Sequence, residues 1–134
     1  MNGYRALVLA LLALIFAAGC TTAQLMNIND RPVPVRIDGS GHTAEEVRAA
    51  IISACSNRGW IPQMTGDSQI NCSISLRGKH QAEIEIPYSA SSYSIIHLSS
   101  QGLNYNPSRQ TIHRNFNRWI ANLALDIQRE LGRQ

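Results

Sequence analysis

The residues of this sequence best suited to acid–base or metal chemistry are four histidines: His42, His80, His97 and His113. They occur singly, and no His-x-x-x-His or Glu-x-x-His spacing would place two ligands on one helix face. We therefore predict no metal site and no cofactor, and we interpret each histidine as a surface or capping residue.

Carboxylates and serines give no clearer catalytic pattern. Glu83 and Glu85 are two apart in an alternating segment, so their carboxylates are expected roughly 6–7 Å apart on one strand face. Glycosidase carboxylates have similar separations, but they flank a cleft and come from different elements. No serine lies in a Gly-x-Ser-x-Gly motif. The sequence thus predicts that the protein is not an enzyme.

The cysteines carry more information, beginning with Cys20. A positive charge at Arg5 precedes an unbroken apolar run over residues 6–16, which is the pattern of a secretory signal segment. The run has eleven residues, whereas a helix needs roughly 20 to span the hydrocarbon of a bilayer. Small residues at positions 17–19 then lead directly into Cys20.

This ending, Ala17-Ala18-Gly19-Cys20, resembles the bacterial lipobox, although that pattern usually has Leu where this chain has Ala17. The resemblance implies a signal peptide over residues 1–19 and a lipid on Cys20, which makes the membrane a partner. Each buried methylene of an acyl chain contributes about 0.8 kcal/mol to binding, so several chains anchor durably. Thr21 follows the cysteine instead of the Asp that retains such lipoproteins in the inner membrane. We therefore expect the periplasmic face of the outer membrane, with the inner membrane as the alternative.

Cys55 and Cys72 are predicted to form a structural disulfide. Export places them in an oxidising compartment, where an even number of cysteines usually pairs. Cys55 falls on the apolar stripe of a predicted helix and Cys72 on the apolar side of a predicted strand. A metal site would need two further ligands and a redox site a Cys-x-x-Cys motif, and neither is present. Free thiols are the alternative.

The charge balance argues against nucleic acid as a partner. The sequence has 12 Lys and Arg against 9 Asp and Glu, and removal of residues 1–19 takes away only Arg5. This excess is small, and an exported domain does not meet nucleic acid. Five arginines gather in the last quarter of the chain: Arg109, Arg114, Arg118, Arg129 and Arg133. A helix that carries them is expected to have a solvated face, with contact to anionic lipid or an acidic partner as the alternative.

Two helices are predicted from apolar residues at helical spacing. The first covers residues 44–58, because Thr43 and Glu46 fit a capping box at its start and Gly59 can end it. The second follows residue 111 and ends at Gly132. Its apolar stripe consists of Phe116, Ile120, Leu123, Ile127 and Leu131.

Strands are predicted where apolar and polar residues alternate. The alternation is strongest over residues 70–76, and residues 82–88 form the hairpin partner. Further strands are predicted over residues 33–37, 60–64 and 93–98. The order strand, helix, four strands, helix indicates an α+β domain, a two-layer arrangement with a mainly antiparallel sheet of about five strands and both helices on one face. The opposite sheet face carries Asn, Ser and Glu and is expected to be hydrated.

The mature chain has the length of a single domain. Residues 20–31 show little apolar periodicity, so we predict a flexible tether after the lipidated cysteine. Residues 32–134 are sufficient for one core and not for two.

The densest group of aromatic, Asn and Arg side chains spans residues 102–120. In one interpretation Asn104, Asn115 and Asn117 cap the backbone where the second helix begins, while Phe116 and Trp119 enter the core. In the other, the residues form a recognition surface, since Tyr, Trp and Arg dominate binding hot spots and Arg can hold a carboxylate such as that of a cell-wall peptide. This predicted partner-binding set is Tyr105, His113, Arg114, Arg118 and Trp119.

Two motifs in this segment resemble a family of small proteobacterial lipoproteins of uncharacterised function. The motifs are Leu103-Asn104-Tyr105 and Ile112-His113-Arg114-Asn115-Phe116-Asn117-Arg118-Trp119-Ile120. The resemblance covers most of the mature domain and implies the same fold and location. The family brings no established catalytic activity.

From these patterns we predict a lipid-anchored periplasmic domain that acts as a non-enzymatic binding or accessory subunit of the cell envelope. Its expected partner is an envelope protein or a cell-wall component. A small envelope hydrolase acting on cell-wall glycan or ester is one alternative, and it requires a pocket that joins His97 or His113 to an acidic or hydroxyl side chain. A purely structural spacer is the other.

Overall fold

The computed structural model describes residues 21–134, so Cys20 and the predicted signal peptide lie outside the described residues. The described chain forms seven strands and two helices. In chain order they are β1 (Thr22–Gln24), β2 (Ile28–Pro32), α1 (Ala44–Asn57), β3 (Ile61–Gly66), β4 (Gln69–Leu76), β5 (His80–Pro87), β6 (Ser92–Gln101), β7 (Thr111–His113) and α2 (Arg114–Leu131).

Five strands form an antiparallel sheet in the order β2-β6-β5-β4-β3. Alternation explains which face is covered, because Ile70 and Cys72 on β4 and Ile84 and Ile86 on β5 are fully buried between exposed or half-buried neighbours. These side chains join those of both helices in one core. The α+β two-layer fold predicted from the sequence is therefore confirmed.

The helices begin where the sequence indicates. The Thr43 hydroxyl accepts a hydrogen bond from the Glu46 backbone N–H at 3.1 Å, and the Glu46 carboxylate accepts one from the Thr43 N–H at 2.8 Å, which completes the predicted capping box. Helix α2 begins at Arg114 and buries the predicted stripe from Phe116 to Leu131. Neither α1 nor α2 is both long and apolar enough to cross a membrane.

The flexible tether predicted over residues 20–31 is wrong for residues 22–31, because strands β1 and β2 in this segment pair with distant parts of the chain. Strand β1 forms a separate two-stranded ribbon with β7, in which Ala23 lies opposite Ile112. Strand β2 is an edge of the main sheet, and Leu25 and Ile28 pack against the core. Such short strands have no periodicity of their own and are stabilised by partners far away in sequence.

The strand predicted over residues 33–37 is also wrong, since the first sheet strand ends at Pro32. Val35 and Ile37 are 67% and 110% exposed, and the Arg36 N–H bonds to the Ser40 carbonyl within a turn. Pro34 cannot donate a ladder hydrogen bond, so alternation of apolar residues does not suffice for a strand here.

Both edges of the main sheet are interrupted. On β2 the register shifts between Ile28 and Arg31, and the strand ends in Pro32. On β3 the register shifts between Met64 and Gly66, and Pro62 lies within the strand. Prolines and irregular pairing at sheet edges hinder the addition of further strands.

Candidate functional site

The start of α2 is built by backbone contacts that use several residues of the predicted recognition set. The His113 ring nitrogen Nδ1 accepts a hydrogen bond from the Asn115 N–H at 3.2 Å, so His113 caps the helix. Its own N–H donates to the Leu103 carbonyl at 2.7 Å. The Asn117 side chain accepts from the Met26 N–H at 3.0 Å and donates to the Gln24 carbonyl at 2.8 Å. Both side chains are therefore engaged with the backbone of the domain, His113 as a helix cap and Asn117 as a contact to the segment before β2.

The predicted recognition set does not form one surface. Tyr105 and Trp119 are half-buried and lie at the two ends of a row of aromatic contacts that passes through His97 and the buried Phe116, with ring centroids 4.3, 5.3 and 6.5 Å apart in succession. Arg114 and Arg118 are exposed and one turn apart on α2. The structure thus brings the two arginines together on the surface, while Tyr105 and Trp119 contribute to packing.

His97, the second residue of this row, is buried and is not the surface residue predicted. Its Nε2 lies 3.0 Å from the Ser100 hydroxyl, and its backbone N–H donates to the Asn27 side-chain oxygen at 2.9 Å. Burial lowers the pKa of His97 from its usual value of 6.5. The neutral imidazole is therefore the form that the fold favours.

His42 is also buried, which corrects the prediction that it is a surface residue. It lies just before α1, and its Nδ1 has no hydrogen-bond partner within residues 21–134. The nearest carboxylate oxygen belongs to Glu46, at 3.6 Å. His80, in contrast, is exposed as predicted and bonds to the Gly102 carbonyl at 2.9 Å.

Cys55 and Cys72 meet in the core, as their two periodicities predict. Their sulfurs are 2.6 Å apart, both side chains are fully buried, and the structure holds them as thiols. The hydrogen bond with Cys72, together with burial, raises the pKa of the Cys55 thiol far above its usual range. The raised pKa disfavours a reactive thiolate at Cys55, and the disulfide between the two cysteines stays a prediction.

A groove of about 640 Å³ runs between strand β2 and helix α2. Met26 and Leu125 line it and are 40% and 46% exposed, and Ile28 and Ala121 extend its apolar floor. Its polar residues are Asn29, Asp30, Arg31 and Gln128. The sequence does not predict this groove, because residues 20–31 have the low apolar periodicity of a tether. Leu125 was a usable signal, since it is a large apolar residue outside the buried stripe of α2.

The open face of the sheet is polar and shallow, as predicted. A depression of about 360 Å³ is lined mainly by Ser73, Ser75, Gln81, Glu83 and Ser99. The Asn71 side chain donates to the Glu83 carboxylate at 3.4 Å, so Glu83 is part of a surface hydrogen-bond pattern. No group of three His, Cys, Asp or Glu side chains within residues 21–134 could hold a metal ion.

Comparisons with protein-family models, with curated proteins and with solved structures find no match. The resemblance to small proteobacterial lipoproteins stays a prediction that rests on the residues quoted for it.

Proposed function

We propose that this protein is a lipid-anchored, non-enzymatic binding subunit of the bacterial envelope that faces the periplasm from the outer membrane. The lipobox-like sequence ending in Cys20 supports the anchor and the compartment. The buried pair Cys55 and Cys72 is consistent with an oxidising compartment. The groove between β2 and α2 carries the proposal that the domain binds a partner.

The groove has the composition of a protein-binding surface. Met26 and Leu125 expose apolar area on adjoining elements, and contiguous exposed apolar area marks interaction sites in soluble domains. Arg31 lies at its rim, interacts with the Tyr93 hydroxyl and forms no salt bridge within the described residues, so its remaining donors can bind a carboxylate of the partner. We infer that the partner is an envelope protein segment with an apolar side chain and a nearby acidic group.

The proposal predicts that Leu125→Glu abolishes partner capture when the full protein is crosslinked in intact cells. A carboxylate in the apolar part of the groove would have to be desolvated on binding, which is unfavourable. The matched control is Ile61→Glu on the opposite edge strand, where Ile61 is 70% exposed and lies away from the groove. The variants should match the wild type in circular dichroism and in abundance, since both side chains are on the surface.

Loss of the same captured protein in Leu125→Glu and its retention in Ile61→Glu would support the groove as the binding site. Equal capture in both variants would exclude it. Trp119→Ala is a poorer test of binding, because the half-buried Trp119 ring packs against Phe116 and its removal also disturbs the core.

The hydrolase alternative has one supporting contact, the 3.0 Å approach of His97 to Ser100. Nucleophile and base pairs have this separation, and the base is normally oriented by a third group. However, no carboxylate among the described residues bonds to His97, and the Tyr105 and Phe116 rings lie against the imidazole. These contacts favour a hydrogen bond that satisfies a buried histidine, and they support the non-enzymatic proposal.

A further inference from the structure

The described chain begins in direct contact with the start of α2. The Thr21 carbonyl accepts a hydrogen bond from the Arg114 N–H at 2.9 Å, and Thr22 lies opposite His113 in the β1–β7 ribbon. A residue spans at most roughly 3.6 Å of extended chain. A lipid on Cys20 would therefore attach the domain within a few ångströms of the first turn of α2.

The β4–β5 turn lies at the same end of the molecule. His113 donates to the Leu103 carbonyl, and the neighbouring Gly102 packs against the backbone of Lys79. Arg77 and Lys79 flank this turn and are exposed, as are Arg114 and Arg118. We call these four residues, Arg77, Lys79, Arg114 and Arg118, the basic end.

Charge is segregated between this end and the rest of the domain. Of the eleven Lys and Arg within residues 21–134, five form salt bridges, and four of the other six belong to the basic end. None of the nine Asp and Glu residues falls in residues 75–81 or 101–118, the segments that carry the four residues of the basic end. The positive charge of the basic end is thus not neutralised by nearby acidic residues of the described chain.

Helix α2 adds to the positive electrostatic potential at the basic end. Its first turn contains Arg114 and no acidic residue. The N-terminus of a helix carries a partial positive charge, so anions stabilise this position and an arginine there is unfavourable for the isolated helix. The arrangement becomes favourable when an anionic group lies opposite.

We propose that the basic end rests on the anionic surface of the bilayer and fixes the orientation of the anchored domain. This inference depends on the proposed lipid anchor at Cys20. Each basic residue close to an anionic membrane surface shifts the equilibrium by about fivefold. The short connection holds the start of α2 next to the bilayer, and charges there act on the surface over the Debye length, about 8 Å at physiological ionic strength. The groove between β2 and α2 stays accessible along the side of the domain.

The test uses the full lipoprotein purified from membranes and reconstituted into vesicles of phosphatidylglycerol and phosphatidylethanolamine. A benzophenone amino acid is placed at Gln101, next to Gly102, or at the exposed Ala90 in the β5–β6 turn. Strand β5 separates these positions by about 23 Å. Mass spectrometry measures crosslinked lipid at each position, and the mass of the N-terminal peptide reports acylation of Cys20.

We expect Gln101 to capture at least tenfold more lipid than Ala90, since several basic residues at about fivefold each act together. Arg114→Gln/Arg118→Gln should lower this ratio by at least fivefold, while Arg77 and Lys79 retain the remainder. Arg129→Gln/Arg133→Gln removes the same charge from the other end of the same helix and should leave the ratio unchanged. Circular dichroism confirms that both variants are folded.

Equal lipid capture at Gln101 and Ala90 in an acylated protein would overturn the orientation and leave the anchor intact. If both double variants lowered the Gln101-to-Ala90 ratio of lipid capture equally, the proposed orientation would also be overturned. Net charge alone would then explain the change in the ratio. An unmodified Cys20 would overturn the anchor, and the orientation with it.

Discussion

At the scale of single residues, Gly102 lies where the start of the segment leading to α2 packs against the β4–β5 turn, so it helps to form the basic end. It adopts a φ of +71°, and a Cβ at this position would overlap the Lys79 carbonyl oxygen. Gly78, in the β4–β5 turn, has a similar φ of +64° with no heavy atom within 4 Å of the same position. Comparing alanine substitutions at the two glycines therefore distinguishes the free-energy cost of a left-handed backbone from that of a steric overlap.

We predict that Gly102→Ala lowers the free energy of unfolding by roughly 3 kcal/mol or more, because rigid backbone must move to admit the methyl group. Gly78→Ala should cost about 1–2 kcal/mol, the penalty of a left-handed alanine. Urea unfolding of both variants and of the wild type measures the difference. Equal losses would mean that the Lys79 backbone yields easily at Gly102.

The buried His97 gives the fold a specific pH dependence. Because its pKa is lowered in the folded state, the unfolded chain binds the proton more readily below the usual pKa of 6.5. The free energy of unfolding should therefore decrease as the pH falls through 6.5, and this group should have no effect above it. Urea unfolding at pH 7.5 and pH 5.5 covers the window.

The variant His97→Gln keeps a hydrogen-bonding side chain near Ser100 but does not titrate. Its difference in unfolding free energy between the two pH values should be smaller than that of the wild type. Glu46 and Asp126 do not interfere, since Thr43 and Arg58 respectively hold the pKa of each carboxyl below its usual 4.5 and 3.8. An unchanged pH dependence in His97→Gln would assign the effect to other groups.

At the scale of helices and strands, local sequence patterns predict the elements whose conformation is encoded in their own residues. The capping box at Thr43 and Glu46 located α1, and alternation located β4 and β5. Strands β1 and β7 have three residues each and exist because they pair with one another across most of the chain. No local pattern encodes such pairing, and the sequence therefore predicts a tether over residues 20–31.

The parts of the candidate site also differ in whether local sequence patterns predict them. The meeting of Cys55 and Cys72 follows from two independent periodicities, one in a helix and one in a strand. The groove requires β2 to lie beside α2, and that depends on a strand with no signal of its own. The sequence therefore predicts the pair and misses the groove.

A disulfide between Cys55 and Cys72 would join α1 to β4 and would close a loop of about 17 residues, worth about 3 kcal/mol. We predict that a reductant lowers the free energy of unfolding of the wild type by this amount. The double variant Cys55→Ala/Cys72→Ala should unfold identically with and without reductant, since it has no bond to lose.

Thiol counting gives an independent check of this crosslink. The protein is denatured without reductant and treated with a thiol reagent. A disulfide predicts that neither Cys55 nor Cys72 reacts until reductant is added. Full reaction of both cysteines before reduction would show that the buried pair consists of free thiols.

At the scale of the whole molecule, element order was enough to predict the α+β class, because an amphipathic sheet and two amphipathic helices have few ways to bury their apolar faces. Segregation of charge was not predictable from the same information. Arg77 and Arg114 are far apart in sequence and reach the same end of the molecule only through the contacts of Gly102 and Leu103. The net charge of the whole chain is small and does not indicate this local excess of positive charge.

If the proposed lipid anchor confines the protein to a membrane, the interrupted edges at Pro32 and Pro62 acquire a particular importance. Anchored copies diffuse in two dimensions and share one orientation, so their sheets meet side by side far more often than those of freely tumbling molecules. Open edges in that setting would let neighbouring copies join into a continuous ribbon. With both edges interrupted, a protein anchored as proposed could be abundant in one leaflet without its sheets joining, and each proposed groove would stay a separate site.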